Sequence, residues 1–241
     1  MQITTHKPKP GKLCMIHSFA RHEIAAFSRR IRRFVSGEEI AFVDRRQYAI
    51  PDSNICRKAI TLVQDCSPPF LFNHCLRSHA LAVALGTISG KRYDREVLFL
   101  GSIMHDLGLT HEHDGEDTFE IEGARAALDF CQKNELPQQA AHLVHEMVAL
   151  HNSVGIADKK DTEIALLHFG AGADVVGLNI RDIHPNTVSE ILEQHPLLDF
   201  RHAMADLIED QVKRKPHSYM STMVDLGFLR RMRDFDLAMD R

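Results

Sequence analysis

Val97-Leu98-Phe99-Leu100-Gly101-Ser102-Ile103-Met104-His105-Asp106-Leu107-Gly108 is the stretch on which the fold turns. Val97, Leu100, Ile103, Met104 and Leu107 recur at three- and four-residue intervals, the period of an apolar helix face. The pattern predicts a buried helix, capped at its start by Asp94 and ended by Gly108 in a left-handed conformation. His105 and Asp106 stand in its last turn. An ionised carboxylate there costs several kcal/mol unless a cation or a set of donors offsets it. Two arrangements meet that cost. One is a capping pair bonded to loop amides, and the other is an imidazole and a carboxylate converging on a metal ion. Taken alone, the dipeptide favours capping, so the rest of the chain decides.

Outward from this helix the chain reads as further helices. One begins at Asp52 or Ser53 and breaks at Ser67-Pro68-Pro69. Another starts near Asn73 and runs to Ser89-Gly90. Later segments fall at about 118–134, 137–151, 161–177, 186–195 and 200–213, with a last one after Pro216. Strand-like alternation is nowhere sustained, so the fold class is all-α, a helical bundle around one main core. Residues 1–17 predict a poorly ordered lead. Residues 18–34 predict a basic helix, with Ile24, Phe27, Ile31 and Phe34 on one stripe and five arginines over the rest. A basic helix of this kind can bind anions or a membrane surface, but the expectation here is a surface helix that docks this stripe on the body, with a subunit contact in a homo-oligomer as a further use. The division that follows is an arm at 1–49 and a helical domain at 50–241.

A formal net charge of −4 excludes a global field that would attract nucleic acid or an anionic membrane. No apolar run approaches bilayer length. Five cysteines without CxxC spacing suit reduced thiols in the cytoplasm and argue against a disulfide frame or a cysteine zinc knuckle. Sixteen histidines is a heavy load for 241 residues, which makes imidazole chemistry a natural question.

Three more polar residues sit in apolar helices. His74 shares a face with Ser78, Leu81 and Leu85. Asp174 lies in Leu166-Leu167-His168-Phe169-Gly170-Ala171-Gly172-Ala173-Asp174-Val175-Val176-Gly177, with no Lys or Arg within a turn, and so demands a cation from elsewhere. His151 ends the helix before it. His145 is six residues earlier, about 120° around the helix, so His145 and His151 do not share an ion. Cys75 reads as a small core residue.

The order His74, His105-Asp106, Asp174 resembles the HD superfamily of metal-dependent hydrolases. The flanking Ile50-Pro51-Asp52-Ser53, Phe72-Asn73-His74-Cys75-Leu76-Arg77, His105-Asp106-Leu107-Gly108-Leu109-Thr110, Phe119-Glu120-Ile121-Glu122-Gly123 and Asp174-Val175-Val176-Gly177 are similar to its cyanamide hydratase-like branch. Lys215-Pro216 and Ser221-Thr222 extend the likeness, which covers about residues 50–222. The resemblance implies that His74, His105, Asp106 and Asp174 hold one divalent metal, zinc first, with Fe, Mn or Co as alternatives. It implies catalytic roles for Asp106 and His151, the latter moving the proton of a metal-activated water, and substrate contacts for Thr110 and Glu120. Leu109 stands where phosphohydrolases of the superfamily often carry lysine. The implied substrate is therefore a small neutral, nitrile-like molecule. A phosphohydrolase acting on a nucleotide or phosphate ester is the alternative, and a di-iron oxygenase the further one.

Overall fold

Pro69 opens the central helix of the computed structural model, which describes residues 11–237. Its missing N–H is no loss at the first helical position, where that donor has no intrahelical partner. The helices, in chain order, are α1 (Lys12–Ser36), α2 (Asn54–Cys66), α3 (Pro69–Ile88), α4 (Arg95–Met104), α5 (Phe119–Lys133), α6 (Gln138–Leu150), α7 (Thr162–Val176), α8 (Pro185–Gln194), α9 (Phe200–Arg214), α10 (Tyr219–Asp225) and α11 (Phe228–Asp234). Three short 3-10 turns join them, and no strand occurs among the described residues. None of these helices is long and apolar enough to cross a membrane.

α3 is buried nearly all round, and its closest companion is α7. Gly170 makes that approach possible, since a Cβ there would stand 2.3 Å from the Ser78 carbonyl oxygen. One core lies among α2 to α8 and holds Leu81, Leu98, Leu100, Ile103, Val144 and Leu167. A second lies among α9, α10 and α11 and reaches Met15 of α1 and Leu71 of α3.

Three sequence expectations change. α4 ends at Met104, and Gly108 does not adopt a left-handed conformation; it lies in the 3-10 turn Leu107–Leu109. A Cβ at 108 would stand 2.0 Å from the Phe119 carbonyl oxygen, so glycine is needed for close approach of this turn to α5. Of the lead expected at 1–17, residues 1–10 lie outside the described residues. Residues 12–17 belong to α1, and Met15 is buried in the second core.

α1 also docks by the opposite side from the one its apolar stripe predicts. Met15 and Ala26 face inward, His22 bonds Asn179, and Arg29 and Arg33 pair with Asp182. Ile24, Phe27, Ile31 and Phe34 are left in solvent, Phe34 at 89% exposure. Polar anchors on the body, absent from any local reading of the helix, chose the face.

Candidate metal centre

Five polar side chains meet where α3, α4, α6 and α7 converge. His74 comes from the second turn of α3. His105 caps the C-terminal end of α4, and Asp106 leads into the 3-10 turn that Gly108 presses onto α5. His151 caps the end of α6, and Asp174 sits in the last turn of α7. All five are buried.

The imidazoles are oriented by their Nδ1 atoms. Those of His105 and His151 donate to the carbonyl oxygens of Ser102 and Val148, each at 2.7 Å. That of His74 donates to Asp174 Oδ2 at 2.6 Å. A neutral ring with its proton on Nδ1 carries a lone pair on Nε2. The Nε2 atoms of His74 and His105 then face each other at 3.1 Å, and Asp106 Oδ2 stands 3.4 and 3.3 Å from them. Three acceptors converge with no donor among them. That arrangement fits a divalent cation, and N/N/O donors suit zinc and its first-row neighbours. Among the described residues, His74, His105 and Asp106 form a group whose ligand atoms all lie within 4.8 Å of one another.

Asp174 is not brought into that group. Its Oδ1 accepts from Arg77 Nε at 2.7 Å and its Oδ2 from Arg77 Nη2 at 2.9 Å, in addition to the bond from His74. The cation that Asp174 demands is thus Arg77, itself wholly buried and tied through Nη1 to the carbonyls of His195 and Pro196. In place of a fourth ligand, the structure shows a carboxylate behind a histidine, which fixes the ring and makes its Nε2 more basic. Arg77 is the residue that sequence reasoning missed. Its signal was present, since it lies three residues after His74 on a helix too apolar to shelter an unpaired guanidinium.

The charges respond accordingly. Burial works against the Asp106 carboxylate, but His105 and His74 hold it well below the usual carboxylate range. Burial likewise opposes charge on Asp174, and Arg77, with His74, lowers its pKa. Burial disfavours a charged His74, yet Asp106 and Asp174 raise its pKa. His151 goes the other way: burial, with His105 beside it, lowers it to about 4. Its Nε2, 3.6 Å from Asp106 Oδ1, is that of a neutral base.

Neither expected substrate contact reaches the open space of the site. The Thr110 hydroxyl donates to the Leu107 carbonyl at 2.7 Å and closes the 3-10 turn, so it is spent on the backbone. Glu120 is buried behind Asn152, whose Nδ2 donates to Glu120 Oε1; Asn152 lines the cavity and Glu120 does not. His168 supports the same corner, its Nδ1 donating to the His151 carbonyl. His145 lies outside the ligand group found among the described residues. Cys75 is buried, and that burial pushes its thiol well above the ordinary value, which suits a core residue.

His74, His105, Asp106 and His151 form the polar end of a cavity of about 600 Å³. Its walls are mostly apolar side chains from α1, α7, α9, α10 and α11, and Leu109 of the 3-10 turn also lines it.

Residues 71–168 match the family model of the HD domain, a span that holds His74, Arg77, His105, Asp106 and His151. Over 160 residues the chain is 26% identical to cyanamide hydratases DDI2 and DDI3 of Saccharomyces cerevisiae, covering 64% of this chain and 71% of each relative. The HD pair of the family match is the pair whose imidazole and carboxylate converge with His74 here. The matched span and the shared identities support the HD superfamily, with the chain's similarity running to the cyanamide hydratase-like branch.

Proposed function

We propose that this protein adds water to a neutral substrate with a carbon–nitrogen multiple bond, a nitrile or cyanamide type of group. The observation that carries the reading is three convergent acceptors at one end of an apolar cavity. The cationic side chains in the cavity lining are Arg230 and Arg231, and Arg231 is paired with Glu23. Leu109 occupies the cavity wall where a phosphate-binding lysine would be sought. A neutral head group needs no cationic clamp. The likeness to cyanamide hydratases supports the same choice.

Zinc, the first choice for this N/N/O donor set, would be held by His74, His105 and Asp106, and would supply Lewis acidity toward water and the substrate's nitrile nitrogen. The protein's own part is proton movement and orientation. His151 presents a neutral Nε2, held in that tautomer by Val148, and takes a proton from the attacking water. It returns that proton to the substrate nitrogen. Asn152, fixed by Glu120, offers its amide to the polar atoms of the head group. In balance, the water oxygen bonds to carbon and both hydrogens pass to nitrogen, so a nitrile becomes an amide and cyanamide becomes urea.

The test compares cyanamide, mononucleotides and a generic phosphodiester at matched metal loading. Urea from cyanamide is the expected product. Metal-dependent phosphate release without urea would replace the reading with a phosphohydrolase. Elemental analysis of protein purified without added metal belongs beside it: one zinc per chain is expected, and two irons would turn the case toward an oxygenase.

A further inference from the structure

A molecule the size of cyanamide would occupy only a corner of the cavity at the metal centre. Its volume of about 600 Å³ falls within the ~300–1,000 Å³ of sites that enclose drug-sized ligands. The polar groups of its lining fall into two sets. His74, His105, Asp106, His151 and Asn152 gather around the metal centre, and the charged residues Glu23, Arg230 and Arg231 come from α1 and α11. Much of the remaining wall is hydrocarbon and thioether, including Phe19, Val175, Met204, Ile208, Met220 and Met223. Water is poorly held by such a surface, which offers it few hydrogen-bond partners. Methionine side chains adapt to irregular apolar shapes, which suits a wall that must close around a flexible chain.

We propose that the substrate is a neutral amphiphile: a compact head of nitrile or cyanamide type at the metal centre, carried on an alkyl or aryl tail that fills the apolar cavity. The head chemistry rests on the reading under Proposed function. The tail rests on the cavity, independently of that chemistry. Glu23 and Arg231, 3.1 Å apart and each about half exposed, form an ion pair between α1 and α11. That pair is neutral in sum, which leaves Arg230 as the one further charged side chain of the lining outside the metal centre.

The experiment uses metal-loaded, full-length protein and two homologous series, n-alkyl cyanamides as substrates and the corresponding n-alkyl ureas as products. Binding of the ureas is followed by titration calorimetry, and turnover of the cyanamides by urea formation. Affinity for the ureas is expected to rise about fourfold for each added methylene until the cavity is full. A negative heat-capacity change should accompany the rise. Affinity that stays flat with tail length overturns the proposal, even if cyanamide itself is hydrated. A rising series without turnover sustains the tail and removes the hydratase reading instead. Ile208→Trp should move the tail length at which the gain stops to shorter chains, and an unmoved limit counts against the cavity as the tail site. Met220→Phe reads the same limit if Ile208→Trp does not fold.

Discussion

Arg77 and Asp174 lie nearly a hundred positions apart and neutralise one another in the interior. Removing one partner of a buried ion pair leaves the other uncompensated. Arg77→Ala should therefore cost about 3–5 kcal/mol, read from denaturant unfolding. Arg77→Lys should recover only part of this, because an ammonium cannot make the two-pronged contact with the Asp174 carboxylate. His151→Ala makes a separate test. It should lower turnover by roughly 10²–10⁴ while the metal content of the purified protein stays at the wild-type level. Asp106→Ala should abolish that content, since Asp106 is the carboxylate of the converging group.

His79 belongs to this scale too. It is buried against Phe99, neither ring nitrogen has a hydrogen-bond partner, and burial lowers its pKa to about 3, with Arg95 and His195 adding to the effect. The unfolded ring, with a pKa near 6.5, takes a proton that the folded one refuses. The stability due to a neutral His79 is therefore complete above that value and is lost as pH falls toward about 3. His79→Leu should flatten the pH dependence of the unfolding midpoint relative to wild type over this window. His74, His105 and Asp106 were legible in the sequence because each is a polar residue in a segment otherwise built for the core. Arg77 as the partner of Asp174 was not, because the pairing exists only once α3 and α7 are side by side.

At the scale of elements, period and punctuation located most helices well. Ser53 and Asp94 cap α2 and α4 as their side chains suggest, and Gly37 and Gly177 end α1 and α7 in left-handed conformations. Gly108 shows where such reasoning stops. A glycine after an apolar helix looks like a terminator, but here it answers to the Phe119 carbonyl of another element. Gly108→Ala should cost about 1–3 kcal/mol from the forced displacement of that contact, and should also loosen metal binding, because residue 108 follows Asp106 by two. α1 is the other case. Its apolar stripe is plain in the sequence, but the docking face is set by Asn179 and Asp182, far along the chain. Met15, not the stripe, joins the second core, so Met15→Ala should destabilise by about 2–5 kcal/mol in thermal or denaturant unfolding. Deletion of residues 1–17 should likewise destabilise the protein, since it removes Met15 and the Lys12–Asp225 pair.

Over the whole molecule, the absence of sustained alternation was enough to read an all-α fold. The cavity was not legible. Its walls come from α1, α7, α9, α10 and α11, and no window of sequence reports how helices so far apart enclose a space. The outer face of α1 has a practical consequence at the bench. Leu13, Ile24, Phe27, Ile31, Phe34 and Val35 present a ribbon of hydrocarbon to solvent, most closely spaced from Ile24 to Val35, on a helix whose 25 residues extend for roughly 37 Å. Ribbons of this size adsorb to alkyl and aryl surfaces when salt raises the cost of hydrating them. The protein should be retained on phenyl resin at moderate ammonium sulfate, and Phe27→Glu combined with Phe34→Glu should release it at markedly lower salt without altering its melting temperature. A wild-type chain that passes unretained would mean that the ribbon is covered in solution.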